Sequence, residues 1–165
     1  MSIVVILYRA TNSLLSKLIQ KSEYSEIDEL VLPINEEIAP RFLLELANDR
    51  LKEDPENSFW WLPRLIVSDR SIVGIISFKN PPDLNGSVEI GYGIMPSQQR
   101  RGFATQAVNL LVKEGFSRTE IQMIVAYTSV SNLASQKVLE KNQFVREGIK
   151  IDTEDRKLLV WRKRR

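Results

Sequence analysis

The sequence contains neither cysteine nor histidine. Without them the chain has no thiol nucleophile, no histidine base and no Ser-His-Asp triad, and it lacks the side chains that most zinc sites require. Any proton transfer must therefore use carboxylates, tyrosine, serine, lysine or the backbone, and no metal is predicted. The absence of cysteine also excludes a disulfide framework, which leads us to expect a cytoplasmic protein.

Long hydrophobic runs are also missing. The apolar segment at residues 2–7 is shorter than a membrane span and has no signal-peptide features, so we expect a first strand there and no membrane association. A chain of 165 residues with 43% hydrophobic content is long enough for one domain with a core and short for two. We therefore expect a single domain over residues 1–165.

The net charge is only +2, but it is unevenly distributed. Residues 1–60 carry six basic and eleven acidic side chains, whereas the rest of the chain carries seventeen and ten. This asymmetry suits a polyanionic cofactor bound by the second part and a cationic amine approaching from the first, although ordinary solvated charge explains it equally well. The basic residues 162–165 lack an aromatic-interleaved basic face, so we expect a solvated end and no nucleic-acid partner.

The hydrophobic periodicity predicts alternating strands and helices in the second half of the chain. This alternation indicates an α/β (α+β) fold with a mixed sheet that includes at least one parallel pair. The predicted helices cover residues 11–21, 36–52, 102–116 and 132–142. The predicted strands cover residues 2–7, 65–68, 72–78, 87–95, 121–128, 144–149 and 157–161.

The turn formed by residues 99–104 separates the strand-like run 88–95 from a helix-like run that begins at Phe103. The first amides of a helix have no intrahelical partners and carry partial positive charge, so a turn of small residues at that point can hold an anion. Gly102 and Ala104 keep this turn open to a ligand. The alternative is an ordinary strand-to-helix turn.

A second motif follows about thirty residues later. Asn132-Leu133-Ala134-Ser135 opens another helix-like run, which ends at Glu140-Lys141 and is followed by Phe144. Together with the first turn, this order resembles the GNAT superfamily of acetyl-CoA-dependent N-acetyltransferases. The run Val88-Glu89-Ile90-Gly91-Tyr92-Gly93-Ile94 resembles the branch that includes the ribosomal-protein N-terminal acetyltransferases. The resemblance covers roughly residues 65–165.

The resemblance implies a mixed, mostly antiparallel sheet of six to seven strands, with about four helices on its two faces. It also implies acetyl-CoA as co-substrate, bound by backbone and side-chain groups at the two motifs. Asn132 could equally be the N-cap of its helix. The implied acetyl-CoA-binding residues are Ile94, Met95, Gln99, Arg100, Arg101, Gly102, Phe103, Ala104, Thr105, Asn132 and Ser135.

The family reaction is direct attack of an amine on the thioester, but this chain departs from the usual catalytic pattern. Tyr127 and Leu139 stand where many members carry an acidic residue and a proton-donating tyrosine. Ser135 is favoured here as the acid and Tyr127 second, with water as the third possibility, although Ser135 could simply pack in its helix. Glu89 is the only acidic residue inside its strand, so it is the candidate base, and an ion pair with a neighbouring strand is the alternative.

Period-two alternation places Glu89, Gly91 and Gly93 on one face of this strand and Tyr92 on the other. Because two glycines and a carboxylate share that face, we expect it to leave room for a ligand.

The acceptor is the least defined part of this prediction. Phe42, Trp60 and Trp61 could line a substrate groove or belong to core and lid packing. We expect acetyl transfer to a primary amine of a small molecule or protein N-terminus, by a monomer or homodimer. A non-catalytic acyl-CoA-binding or interaction module is the alternative, because the usual tyrosine is missing.

Overall fold

The computed structural model describes residues 4–20, 26–27, 29–32, 36–154 and 156–165. Within these residues the chain forms five α-helices and nine β-strands. The helices are α1 (Asn12–Ile19), α2 (Arg41–Glu53), α3 (Ser58–Trp61), α4 (Phe103–Phe116) and α5 (Leu133–Lys141). The strands are β1 (Ile6–Arg9), β2 (Glu26–Ile27), β3 (Leu30–Val31), β4 (Arg64–Ser68), β5 (Ser71–Phe78), β6 (Ser87–Ile94), β7 (Met123–Ser129), β8 (Val145–Ile151) and β9 (Lys157–Arg164).

Seven of these strands form one continuous sheet in the order β1-β4-β5-β6-β7-β9-β8. The β6–β7 pair is parallel, and the other neighbours along this path are antiparallel. The short strands β2 and β3 join beside β5 and were not predicted. The expected mixed, mostly antiparallel sheet is therefore confirmed.

The helices pack on both faces of the sheet, as the resemblance implied. On one face, α4 and α5 cover a core cluster that includes Phe78, Val88 and Ile90. On the other face, α1 and α2 cover a second cluster that includes Leu65 and Ile72. The strongly periodic helices were predicted because one apolar stripe of each must be buried against the sheet.

Two predicted helix boundaries need correction. The helix predicted from residue 36 begins at Arg41, directly after Pro40, since proline also restricts the residue before it to extended backbone. Glu36 lies outside the helix, where its carboxylate accepts hydrogen bonds from the Ser97 amide at 3.0 Å and hydroxyl at 2.7 Å. The first helix starts after Thr11, whose hydroxyl caps it, and ends at Ile19. The predicted end at Lys21 falls outside the described residues.

The basic end of the chain is not a solvated tail. Strand β9 continues through Arg162 and Arg164, and both guanidinium groups bind the carboxylate of Glu147 on β8. Hydrogen bonds from Arg164 and Arg162 lower the pKa of Glu147 to about 2. The last strand is therefore longer than the predicted 157–161, and paired charges occupy part of the expected basic patch.

The buried Arg64 connects α3 to α4. Its Nη1 donates to the carbonyl oxygens of Phe59 and Leu62, each at 2.8 Å, and its Nη2 lies 2.8 Å from Glu114 Oε1 on α4. Only 1% of Arg64 is exposed. Burial lowers the pKa of this guanidinium, and Glu114 opposes that change. The contact ties β4 and α3 to the helix that follows the turn at residues 99–104.

Candidate functional site

A gap opens in the middle of the sheet where β6 and β7 diverge. The two strands pair only along Ser87–Glu89 and Met123–Val125. On its other side β6 remains bonded to β5, as shown by the Lys79 amide donating to Glu89 O at 2.8 Å. Because backbone groups alternate direction along a strand, those of Tyr92 and Ile94 face the gap.

Met95 offers less to the cofactor arm than its neighbour in the strand. Its N–H donates to Val73 O at 3.0 Å, its carbonyl accepts from the Gln98 amide at 2.8 Å, and its side chain is buried. Both backbone groups already have protein partners, and the binding role of Met95 stays a prediction. Ile94, one residue earlier, keeps its amide on the gap side, while its carbonyl accepts from Gln99 Nε2 at 3.1 Å.

The turn after β6 has the geometry of an anion cradle. Arg100 has a φ of 63° and Gly102 a φ of 83°, both in the left-handed region, and α4 begins immediately after Gly102. No side chain caps α4, and a Cβ added at Gly102 would meet no atom within 4 Å. In the described part of the chain, the amides of residues 103–105 have no hydrogen-bond partner. The cradle is therefore open and rich in donors.

The side chains of this turn support the cradle in different ways. Arg101 donates to Gln98 Oε1 at 2.7 Å and lies 5.0 Å from the centre of the Phe103 ring. The Phe103 side chain is buried in the core, so only its amide can reach a ligand. Arg100 is exposed and adds positive charge at the rim.

A cavity of about 810 Å³ lies on the α2 face of the sheet and reaches the gap. Most of its walls are apolar, with polar groups at the ends of β5, β7 and the start of α5. Its lining includes Ile38, Leu43, Leu44, Leu46, Ala47, Arg50, Trp61, Ile75, Phe78, Lys79, Asn80, Ile90, Gly91, Tyr92, Gly93, Tyr127, Thr128, Ser129, Asn132 and Ser135.

Two glycines of β6 face this cavity, but only one of them leaves space. A Cβ added at Gly93 would meet nothing within 4 Å, whereas one at Gly91 would lie 2.7 Å from Lys79 Cε. The Lys79 stem therefore occupies the space above Gly91. The expected room for a ligand lies at Gly93.

Glu89 forms the ion pair that was the alternative to a catalytic role. Its carboxylate lies 2.9 Å from Lys79 Nζ, and 29% of its side chain is exposed. Lys79 lines the cavity and Glu89 does not. The base role of Glu89 stays a prediction, and it requires Lys79 or a water molecule as intermediary.

The start of α5 brings Asn132, Ser135 and Tyr92 together at the gap. Asn132 Oδ1 accepts from the Ser135 amide at 3.1 Å, which confirms Asn132 as the helix N-cap. The Tyr92 hydroxyl donates to the Ser135 carbonyl at 3.2 Å. Among the described residues the Ser135 hydroxyl has no hydrogen-bond partner, although Ser135 lines the cavity. That hydroxyl is therefore available to a ligand.

Sequence reasoning missed Tyr92 as part of the site. Period-two alternation did place it opposite the glycine face, but the divergence of β6 and β7 that exposes it could not be read from the sequence. Burial raises the pKa of Tyr92 to about 12, so its hydroxyl remains a donor at neutral pH. Tyr127 also lines the cavity, with Lys150 Nζ 4.7 Å from its ring centre. Leu139 is fully buried and contributes no proton.

The three aromatic residues predicted to contact the acceptor lie in three different environments. Trp60 is 4% exposed and packs edge-on against Phe59 and Phe78, at 4.7 and 5.0 Å between ring centres, which favours the core packing that was the alternative to a substrate role. Trp61 does line the cavity, and its Nε1 donates to Asp54 Oδ2 at 3.0 Å. Phe42 is 64% exposed on α2 and lies outside the cavity wall.

Neither a cluster of metal-binding side chains nor a membrane-spanning helix occurs among the described residues. Across the described ranges, no group of three or more Asp or Glu side chains is placed to hold a metal ion. Over the same part of the chain, no helix has the length and apolar character needed to cross a membrane.

Comparisons with known proteins agree with this arrangement. The chain is 39% identical over 74 residues to the uncharacterized N-acetyltransferase YjdG of Bacillus subtilis, covering 45% of this chain and 44% of that protein. It is 32% identical over 84 residues to the ribosomal-protein-serine acetyltransferase of Escherichia coli, covering 51% and 47%. The chain thus spans about half the length of these curated relatives.

The fold matches a solved structure along its whole length. The ribosomal L7/L12 alpha-N-protein acetyltransferase RimL, in complex with coenzyme A, superposes with a TM-score of 0.71 at 19% identity, covering 99% of this chain and 98% of the other. The sequence model described as "Acetyltransferase (GNAT) domain" matches residues 14–145, most of the chain. The chain therefore belongs to the GNAT acetyltransferase family.

Proposed function

We propose that this protein transfers the acetyl group of acetyl-CoA to a primary amine of a small molecule or protein N-terminus. The observation that carries the proposal is the uncapped start of α4 directly after β6, beside a gap that opens into a cavity. The names of the relatives, which are N-acetyltransferases, support the same activity.

The backbone around the gap fits the parts of acetyl-CoA. The pyrophosphate carries negative charge, and the amides of residues 103–105, with Arg100 at the rim, are donors of matching sign. The cofactor arm contains amides, and the gap-facing backbone of Tyr92 and Ile94 can pair with them as a neighbouring strand would. Asn132 lies at the far side of the gap, within reach of the same arm.

The reaction needs no covalent enzyme intermediate. The lone pair of a neutral amine attacks the thioester carbon, a C–N bond forms and the C–S bond breaks. The nitrogen loses one proton, and the departing thiolate gains one. One gap-facing amide of β6, that of Tyr92 or Ile94, would polarise the thioester carbonyl while the other gap-facing groups pair with the cofactor arm, since an N–H aimed at a developing oxyanion stabilises the transition state. Holding both substrates in one cavity lowers the activation barrier further, because the amine is kept close to the thioester.

The proton donor for the thiolate is proposed to be Ser135. Its hydroxyl is free of protein hydrogen bonds and lines the cavity beside the gap. Tyr127 is the second candidate, because it lines the same cavity from β7. Glu89 is proposed to accept the amine proton through water or Lys79.

The buried Leu139 favours one other function, a non-catalytic acyl-CoA-binding module. Measuring thiol release from acetyl-CoA with a panel of amines and peptides separates the two. Turnover with any acceptor excludes the binding module. Tight acetyl-CoA binding without turnover on the whole panel supports it.

Gly102→Glu tests the cradle itself. The new carboxylate would lie where the pyrophosphate is expected, so affinity for acetyl-CoA should fall by about 100-fold or more in calorimetry. Gly148→Glu is the matched control, because Gly148 also has a positive φ, 131°, and open space around its Cβ position. Unchanged affinity in Gly102→Glu would contradict the cradle assignment.

A further inference from the structure

Both charged side chains that line the cavity are cationic. Arg50 projects from α2, and Lys79 follows β5. Among the described residues no aspartate or glutamate lines the wall. Glu53 lies 3.3 Å from Arg50 Nη1 and Glu89 lies 2.9 Å from Lys79 Nζ, but neither carboxylate is among the residues that line the cavity.

The acidic residues of the first sixty do not reach this cavity where the structure describes them. On α2, Glu45 pairs with Arg41 and Asp49 with Lys52, and all four side chains are largely exposed. Asp54 accepts from the side chains of Asn57 and Trp61. The expectation that the acidic first part guides a cationic amine into the site is therefore not met at the cavity wall.

The face of α2 above the cavity combines apolar side chains with one charge. Leu43, Leu46, Ala47 and Arg50 follow the spacing of a single helix face. Leu43 is 43% and Leu46 is 51% exposed. The Arg50 guanidinium carbon lies 5.9 Å from the Trp61 ring centre. An acceptor entering here meets apolar surface and a guanidinium side by side.

These charges disfavour any acceptor that brings several ammonium groups. A cation moved from water into a mostly apolar cavity needs a carboxylate partner, and this lining supplies none. A carboxylate on the acceptor, in contrast, can pair with Arg50, which is bidentate by geometry. The same positive charges disfavour the protonated form of the reacting amine and so promote the neutral form that attacks.

We propose that the acceptor is a primary amine whose molecule carries a carboxylate and an apolar group near that amine, and that polyamines are poor substrates. The specificity-determining residue is Arg50, with Lys79 as the second positive charge. The proposal rests on the acetyl-transfer function above and names the substrate class of that site.

The test uses the full-length protein with three acceptors: a peptide with N-terminus Ser-Leu-Asp-Glu, the same peptide with Lys-Lys in place of Asp-Glu, and spermidine. The wild-type protein should give a kcat/KM roughly tenfold or more higher for the acidic peptide than for the others. Arg50→Glu should reverse the order of the two peptides. Arg41→Glu makes the same charge change on the same helix, outside the cavity, and should keep the wild-type order.

Equal rates with spermidine and the acidic peptide, or the same shift in Arg50→Glu and Arg41→Glu, would overturn the proposal while acetyl transfer stands. Calorimetric titration of both peptides onto the CoA-bound protein gives a readout without turnover. Tighter binding of the acidic peptide supports the proposal, and equal or weaker binding refutes it. Absence of turnover with every acceptor, despite acetyl-CoA binding, would instead refute the proposed acetyl transfer.

Discussion

The two halves of the site are built in different ways. The half expected to hold acetyl-CoA comes from one contiguous stretch, the end of β6 through the start of α4, and its donors are mainly backbone amides. The half expected to take the acceptor is assembled from side chains of three separate elements, α2, α3 and β5. We therefore expect backbone conformation to bind the cofactor and side chains to select the acceptor, so that the acceptor can change without disturbing cofactor binding.

Removing the ion pair between Arg64 and Glu114, which connects α3 to α4, should have the largest effect on stability. Glu114→Ala leaves the buried Arg64 charge without its carboxylate, which should lower the free energy of unfolding by about 2–3 kcal/mol. Urea denaturation measures this loss. Glu120→Ala is the control, since Glu120 is exposed and lies 3.7 Å from Arg118, and it should change stability by less than about 0.5 kcal/mol. Equal urea midpoints for the two variants would show that the stability of the fold does not depend on the ion pair between Arg64 and Glu114.

Adding a side chain at Gly93, which faces the cavity, should weaken binding of the acceptor more than binding of acetyl-CoA. Gly93→Val adds a side chain where a Cβ meets no neighbour, so the fold should persist while the KM for the acceptor rises by roughly tenfold, about 1.4 kcal/mol. The dissociation constant for acetyl-CoA should change by less than about threefold. Gly91→Ala is the comparison, because it displaces Lys79 rather than filling space. A parallel loss of acetyl-CoA affinity in Gly93→Val would show that the halves share one volume.

Removing the Tyr92 hydroxyl should have the smallest effect. Tyr92→Phe deletes the hydrogen bond to Ser135 O, at a cost of about 1 kcal/mol in unfolding free energy. The pKa of Tyr92 is raised from 10.0 to about 12, so folding favours its protonated form, and this stabilisation is complete below pH 10 and lost between pH 10 and 12. Wild-type stability should therefore fall more steeply than that of Tyr92→Phe over this range. Parallel pH profiles would contradict the assigned burial.

The contiguous half was largely predictable from the sequence. A strand, a turn with Gly102 and an apolar helix face follow one another in the sequence. Each is predicted by a local pattern, and each is present in the structure. The prediction at Met95 has the least support in this half: both its backbone groups have protein partners, and the sequence does not show which alternate amides face the gap.

The acceptor half was only partly predictable from the sequence. Trp60 and Trp61 are adjacent in sequence, yet one is buried in the core and the other lines the cavity, because consecutive residues of a helix point in different directions. The alternation in β6 correctly placed Glu89 and the glycines on one face. It could not reveal that Lys79, from the neighbouring strand, fills the space above Gly91 and pairs with Glu89.

The divergence of β6 and β7 has a consequence for cooperativity. Three residue pairs are the only backbone ladder between the β1-β4-β5-β6 segment and the β7-β9-β8 segment in the described chain. A ligand seated in the gap and bonded to both sides would act as an additional strand, and it would bind the folded sheet but not the unfolded chain. By mass action, 100 dissociation constants of free ligand would add about 2.7 kcal/mol to the unfolding free energy. Occupancy of the gap and resistance to thermal unfolding should therefore rise together, with slowed amide exchange concentrated at Tyr92 and Ile94.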